Sequence, residues 1–234
     1  MIKAVIFDVD GTLAETEEVH RIAFNRAFAD AGLGWDWDRA LYRKLLKVTG
    51  GKERIAHFLE LSGAAPFPAD AIAALHKAKT AVYTGMAERG EIALRPGVAD
   101  FLDVLRQRGI KLAIATTTSL PNIEALLSCA LGAGWRELFC AVAAGDMVAR
   151  KKPAPDVYDL ALRLLDLSAG DCVAVEDSRN GVLSARAAGL RVIAVRSAYC
   201  ADDDVGGADA VLEDCRGLGL DVFARLGWSL AASG

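Results

Sequence analysis

With 234 residues, 53% of them hydrophobic and 25% charged, the chain has the make-up of a folded globular protein, long enough for one core plus a smaller insertion. Lys and Arg number 27 against 31 Asp and Glu, a net charge of −4 with no basic block, so neither nucleic acid nor an anionic membrane is expected as a partner. No apolar stretch is long enough for a signal peptide or a bilayer span, and the five cysteines form no CxxC pair. A cytoplasmic protein without zinc or disulfides is expected.

The first element is "AVIF" (4–7), a strand buried on both faces, and it ends in Asp8, Asp10 and a Gly-Thr turn. From about 15 to 92 the pattern is helical throughout: "EEVHRIAFNRAFADAG", "DRALYRKLLKV", "KERIAHFLEL" and "ADAIAALHKAKTAVYTGMAERG". Breaks fall at Gly32–Trp37, Gly50–Gly51 and Pro66–Pro68, with Trp35 and Trp37 read as packing residues. The helix "GVADFLDVLRQRG" follows, then strand "KLAIA" (111–115) with Thr116, Thr117 and Thr118 at its end. Strand "AVAA" (141–144) leads to Lys152 and a helix that starts at Pro155. Strand "CVAV" (172–175) delivers Glu176 and Asp177, "SRNGVLSARAAGL" is a helix stopped by Gly189, and "RVIAV" (191–195) is the last strand. This alternation predicts an α/β fold, a Rossmann-like parallel sheet with helices on both faces, plus an all-helical cap. The expected division is a core of 1–14 and 93–234 and a cap of 15–92, joined by linkers near 13–16 and 88–95.

In an open parallel sheet, ligands bind beyond the carboxyl ends of the strands. There this sequence gathers Asp8, Asp10, Thr116, Lys152, Glu176 and Asp177. Four carboxylates against one lysine are out of balance, and a hard divalent cation with oxygen ligands, Mg²⁺ where phosphate also binds, would restore it. Asp8 and Asp177, with a backbone carbonyl near Asp10, suit that ion. Lys152 and Thr116 suit the oxygens of a transferring phosphoryl group. One aspartate can attack phosphorus, and the second can exchange protons with the leaving group and water.

"DVDGT" after the first strand, Thr after the second, "KKPAPDVY" and "VEDS" together resemble the four motifs of the haloacid-dehalogenase-like phosphohydrolases over the full length of the chain. The resemblance implies Asp8 as nucleophile, Asp10 as general acid and base, and Thr116 and Lys152 as phosphoryl clamps. It further implies Mg²⁺ held by Asp8, Asp10, Glu176 and Asp177, with Asp177 the direct acidic ligand. "KPAPDVY", "EDSRNG" and "ETEEVH" are similar to the branch that holds β-phosphoglucomutase and the CbbY-type sugar-bisphosphate phosphatases. For the latter the implied substrate is xylulose 1,5-bisphosphate, a Rubisco inhibitor, and the implied setting is Calvin-cycle carbohydrate metabolism. The loop "TGGKER" (49–54) and the Thr116-Thr117 pair favour the phosphatase over the mutase, which stays as the alternative. A signalling receiver domain uses similar groups, but its nucleophile lies further along a compact chain.

The remaining expectations fall on the cap. Glu17 and His20, three residues apart, can both face the core, and His20 reads equally as an interface histidine or a substrate contact. Gly50 and Gly51 with Lys52 and Arg54 form a loop suited to a distal phosphate, and Thr117 joins the substrate set. Arg179 and Asn180 read as first-turn helix residues. The expected partner is a small phosphorylated sugar, and the expected state is a monomer.

Overall fold

The computed structural model describes residues 1–64 and 67–231. Pro66, one of the expected breaks, and residues 232–234 lie outside the described residues. In chain order the elements begin with β1 (Ala4–Phe7), α1 (Glu17–Asp30), α2 (Arg39–Leu45), α3 (Gly51–Ser62) and α4 (Ala69–Glu88). There follow α5 (Val98–Gln107), β2 (Lys111–Ala115), α6 (Leu120–Leu131), the single turn α7 (Trp135–Leu138) and β3 (Phe139–Ala143). The chain closes with α8 (Asp156–Leu165), β4 (Cys172–Glu176), α9 (Arg179–Ala187), β5 (Arg191–Val195), β6 (Ala210–Leu212) and α10 (Leu220–Arg225).

The six strands form one parallel sheet in the order β3-β2-β1-β4-β5-β6. Strand order reverses between β1 and β4, where Phe7 pairs with Val175, so Asp8 and Glu176-Asp177 emerge side by side at the switch point. Two sequence expectations need correction. β3 starts at Phe139 rather than 141, and its pairing shifts register between Leu112 and Ala113. β6 was not expected: its three residues are half exposed or exposed and carry too short a pattern to read.

Alternation along the strands sorts side chains by size. Val5, Phe7, Leu112, Ile114, Val173, Val175, Ile193 and Val195 pack on one face with α5, α6 and α10. Ala4, Ile6, Ala113, Ala115, Ala143, Ala174 and Ala194 form the other, with α8 and α9. The alanine-rich face leaves room for the buried ring of Tyr158, whose hydroxyl reaches Glu176.

Helices α1–α4, inserted between β1 and α5, have their own core of Phe24, Phe28, Trp37, Tyr42, Leu45, Ile55, Leu59 and Leu75. Trp37 is fully buried, with ring centroids 4.7 Å from Phe24 and 4.9 Å from Phe28. The α2 start is capped by Asp38, which accepts from the Leu41 N–H at 2.7 Å. The two strands of chain that enter and leave the insertion pair with each other. Ala14 bridges Leu94, and the Arg95 N–H donates to Leu13 O at 2.9 Å. Among the described residues no helix is long and apolar enough to cross a membrane. Cys172 and Cys215 are buried, whereas Cys129 and Cys140 are exposed.

Because Trp37 fills the centre of the insertion core, Trp37→Ala should destabilise the protein by about 3–5 kcal/mol. Urea denaturation followed by circular dichroism will check this through a lower midpoint.

Candidate active site

Lys152 organises the sheet end. It is 5% exposed, and its Nζ donates to Asp8 Oδ1 at 2.7 Å, Glu176 Oε1 at 2.6 Å and the Ala115 carbonyl at 2.9 Å. All three ammonium protons are thus placed, on groups from β1, β2 and β4. Burial alone would lower the Lys152 pKa; the charges of Asp8 and Glu176 override it and raise it above the ordinary value. Lys151, by contrast, turns its Nζ to the backbone carbonyls of Gly145 and Val148.

Asp8, Glu176 and Asp177 each offer a carboxylate oxygen, and these atoms lie within 4.8 Å of one another. Burial raises Asp8 to about 7 even though Lys152 pulls the other way. Asp177 is raised well above the carboxylate range by burial first, then by Asp8 and Glu176. Its Oδ2 accepts from Ser197 Oγ at 2.6 Å. Gly11, at φ +82°, brings the backbone so close that a Cβ there would collide with the Asp177 carboxylate. Three buried acids facing one lysine remain short of positive charge, and an all-oxygen donor set of this kind fits a hard divalent ion such as Mg²⁺. Glu176 is committed to Lys152 and to the Tyr158 hydroxyl at 2.5 Å, which leaves Asp8 and Asp177 as the carboxylates best freed for an ion.

The Asp10 side chain is engaged away from the acidic cluster, which leaves its backbone carbonyl as the atom it would offer an ion. Its carboxylate is not one of the clustered three; Oδ1 instead accepts from Thr16 Oγ1 at 2.5 Å and pairs with His20 Nε2 at 3.0 Å. His20 Nδ1 in turn lies 2.7 Å from Lys79 Nζ, and the ring stacks on Tyr83 at 4.1 Å. Burial would raise Asp10, yet His20, together with the hydrogen bonds from His20 and Thr16, holds it down at about 2. Burial, then the neighbouring Lys79 charge, lowers His20, which favours the neutral ring with Nε2–H donating to Asp10. Lys79 is itself lowered to about 7, chiefly by burial, with Asp10 opposing. The sequence offered little sign of Lys79: in "LHKAKTAVY" it is one of several polar residues at helical spacing.

A cavity of about 710 Å³ joins this sheet end to the insertion. Asp8, Asp10, Lys152 and Asp177 line it from the sheet, and Glu17, His20, Gly50, Gly51, Lys52 and Arg54 line it from the insertion. Gly50 adopts φ +100°, a conformation that side chains resist, at the turn into α3. Arg54 is 8% exposed, and its Nη1 donates to the Tyr42 hydroxyl at 2.8 Å, which donates to Glu17 Oε2 at 2.8 Å. Among the described residues, Arg54 Nε has no hydrogen-bond partner. A buried guanidinium whose direct partner is a neutral phenol has donor capacity left over for an anion.

Thr117 lines the cavity, as do Thr118, Ser119 and Asn122, which were not expected. Thr116 does not: it is buried in the wall one residue beyond Ala115, its Oγ1 accepting from the Thr118 N–H at 3.3 Å. Thr117 and Thr118 line the cavity at this strand end, with the Thr116 hydroxyl directly behind them. Asn180 carries more than a helix start, since its Nδ2 donates to Thr49 Oγ1 at 3.0 Å across to the insertion.

A parallel sheet with this acidic switch point and an inserted helical unit defines a class of hydrolase. Residues 2–189 match the sequence profile of the haloacid dehalogenase-like hydrolases, and the chain belongs to that family. Protein CbbY of Cereibacter sphaeroides is 53% identical over 227 residues, covering 97% of this chain and 95% of that one. The crystal structure of CbbY from Rhodobacter sphaeroides in complex with phosphate superposes with a TM-score of 0.88 at 53% identity, over 94% of this chain and 97% of that one. A variant of the same protein in complex with xylulose 1,5-bisphosphate gives 0.88 at 52% identity, with the same coverage of 94% and 97%. The chain is a phosphatase of this family.

The buried Lys79 makes the protein's stability sensitive to pH. With its pKa lowered from 10.5 to about 7, the unfolded chain binds more protons between those values, so this group makes stability rise with pH there. Lys79→Met should remove a slope of up to about 1.4 kcal/mol per pH unit between pH 7.5 and 9.5. Chemical denaturation at several pH values will test this, and equal slopes in both proteins would refute the assignment.

Proposed function

We propose that this phosphatase removes a phosphate from a small sugar bisphosphate through an aspartyl-phosphate on Asp8. The observation that carries the reading is the cavity's two sides: Lys152 with its acids on one, and the buried, incompletely partnered Arg54 on the other. A ligand with a phosphate at each end satisfies both. The relative that binds xylulose 1,5-bisphosphate supports this substrate as the first to test.

In this reading Lys152 holds Asp8 Oδ1 and leaves Oδ2 to attack phosphorus. The charge of the entering phosphate raises Asp10 from its unliganded value of about 2 so that it carries a proton; the bond between phosphorus and the sugar oxygen breaks, and the departing alkoxide takes that proton. Asp10 then takes a proton from water, the water oxygen attacks phosphorus, and inorganic phosphate leaves Asp8 regenerated. The Lys79–His20–Asp10 chain gives the proton a hydrogen-bonded route to and from the insertion. Thr117, Thr118 and Lys152 stand at the phosphoryl oxygens. Mg²⁺, held by Asp8 and Asp177, supplies positive charge beside those oxygens when bound. Residues 15–92 serve as the specificity cap, with Gly50, Gly51, Lys52 and Arg54 reading the distal phosphate and Glu17 a sugar hydroxyl.

Phosphate release should be measured across sugar mono- and bisphosphates in Mg²⁺. Asp8→Asn should abolish turnover, because an amide is a poor nucleophile; substantial release by that variant would overturn the role of Asp8. Arg54→Gln should raise KM for a bisphosphate at least tenfold and change a monophosphate much less. Equal effects on the two substrates would remove Arg54 from the distal site. Isomerisation of β-glucose 1-phosphate without phosphate release, followed by ³¹P resonance, would favour a mutase instead.

A further inference from the structure

Asp177 is flanked by two core segments that grip the insertion. The first is the turn after β5. There Ser197 Oγ donates to Asp177 Oδ2 at 2.6 Å, and the Cys200 N–H donates to the same Ser197 oxygen at 3.3 Å. The residues between reach outward: the Ala198 carbonyl accepts from Arg43 Nη2 at 3.2 Å, and the Tyr199 hydroxyl donates to Glu18 of α1. The Tyr199 ring stands edge-on to Tyr42 at 5.7 Å. At the root of the insertion, the Ala198 N–H donates to Glu15 at 3.2 Å.

The second segment is the first turn of α9, three residues past Asp177. Asn180 Nδ2 donates to Thr49 Oγ1 at 3.0 Å and to the Lys47 carbonyl at 3.1 Å, both on the connection that runs into Gly50 and α3. The same short stretch thus meets the core at one end and brings Arg54 to the cavity at the other.

We infer that Tyr199 and Asn180 are positioning residues that latch the insertion over the cavity and, through the segments flanking it, fix the direction of the Asp177 carboxylate. The two events are joined by geometry. Ser197 holds Asp177 from the turn whose next two residues hold the insertion, so releasing Tyr199 frees the turn and the hydrogen bond to Asp177 together. Glu18 is suited to its part because Arg21 and Arg39 also donate to it, which keeps a charged acceptor in place for the Tyr199 hydroxyl. For catalysis the inference rests on the phosphatase reading above; the latch itself does not.

Tyr199→Phe deletes the hydroxyl and keeps the ring packed, and Asn180→Ala removes the other contact. Each variant should speed hydrogen exchange at the Ala198 and Cys200 amides about fivefold in the protein without substrate. Each should weaken Mg²⁺ binding about threefold by calorimetry. With a sugar bisphosphate, KM should rise about fivefold while kcat stays within twofold. Should Tyr199→Phe fail to fold, Asn180→Ala gives the same comparison alone. Wild-type exchange and Mg²⁺ affinity in the folded variants would overturn the latch, as would a fall in kcat at constant KM. A wild-type protein that releases no phosphate from any sugar phosphate would instead overturn the phosphatase reading, while exchange and calorimetry still decide the latch.

Discussion

The site depends on one ammonium group. Lys152 lies 144 residues from Asp8 in sequence, yet its Nζ bonds Asp8, Glu176 and the Ala115 carbonyl in a buried setting. It offsets only part of the burial and mutual repulsion that oppose ionisation of three acids with oxygens within 4.8 Å of one another, since Asp8 and Asp177 are still raised. A buried charge cluster of this kind does little for stability unless every member is partnered. Here the partners arrive because β1, β2 and β4 are neighbours in the sheet and the segment before α8 passes over their ends. Arrangement of the sheet and ionisation of the site are therefore one problem with one solution.

Asp8 and Asp10, two residues apart, live in different electrostatic worlds. The first belongs to the core, raised to about 7 by burial; the second belongs to the insertion, held near 2 by His20 and Thr16 against burial. The proposed roles need the opposite protonation, an ionised Asp8 and a protonated Asp10, so on that reading a bound cation lowers Asp8 and the charge of an entering phosphate raises Asp10. The division also assigns control. Thr16 and His20 stand at the start of the insertion and Lys79 on α4, so the proton inventory of Asp10 is set by helices that contribute nothing to the sheet.

The core was legible because its chemistry is punctuated. Asp8, Lys152, Glu176 and Asp177 follow apolar runs, and a parallel sheet delivers whatever follows its strands to one edge. What was hidden required contacts between elements. Thr116 directly follows its strand as expected, but the chain leaves the sheet so that Thr117 and Thr118 reach the cavity instead. The two carboxyls of the first motif looked alike in sequence, whereas the Asp10 side chain is claimed by Thr16 and His20 at the start of the insertion. Lys79 could be distinguished from solvated lysines only by the packing of α4 on α1. Asn180 lies in a first helical turn and Tyr199 follows a strand end, like many polar residues, and only the docked insertion gives them partners.

The two sides of the cavity carry opposite imbalances. At the sheet, buried carboxylates outnumber their lysine; in the insertion, Arg54 and Lys79 are buried cations, and Arg54 helps to lower Lys79. Each side is uncomfortable alone, and the overall charge of −4 conceals both. A divalent cation relieves the first, while an anionic group near Arg54 relieves the second. On the proposed reading, the phosphate that reacts sits with the cation at the sheet, so Arg54 is answered only when the molecule carries a second anionic group. Under that reading, discrimination for a doubly phosphorylated sugar would follow from charge balance across the cavity, before any hydroxyl of the sugar is read.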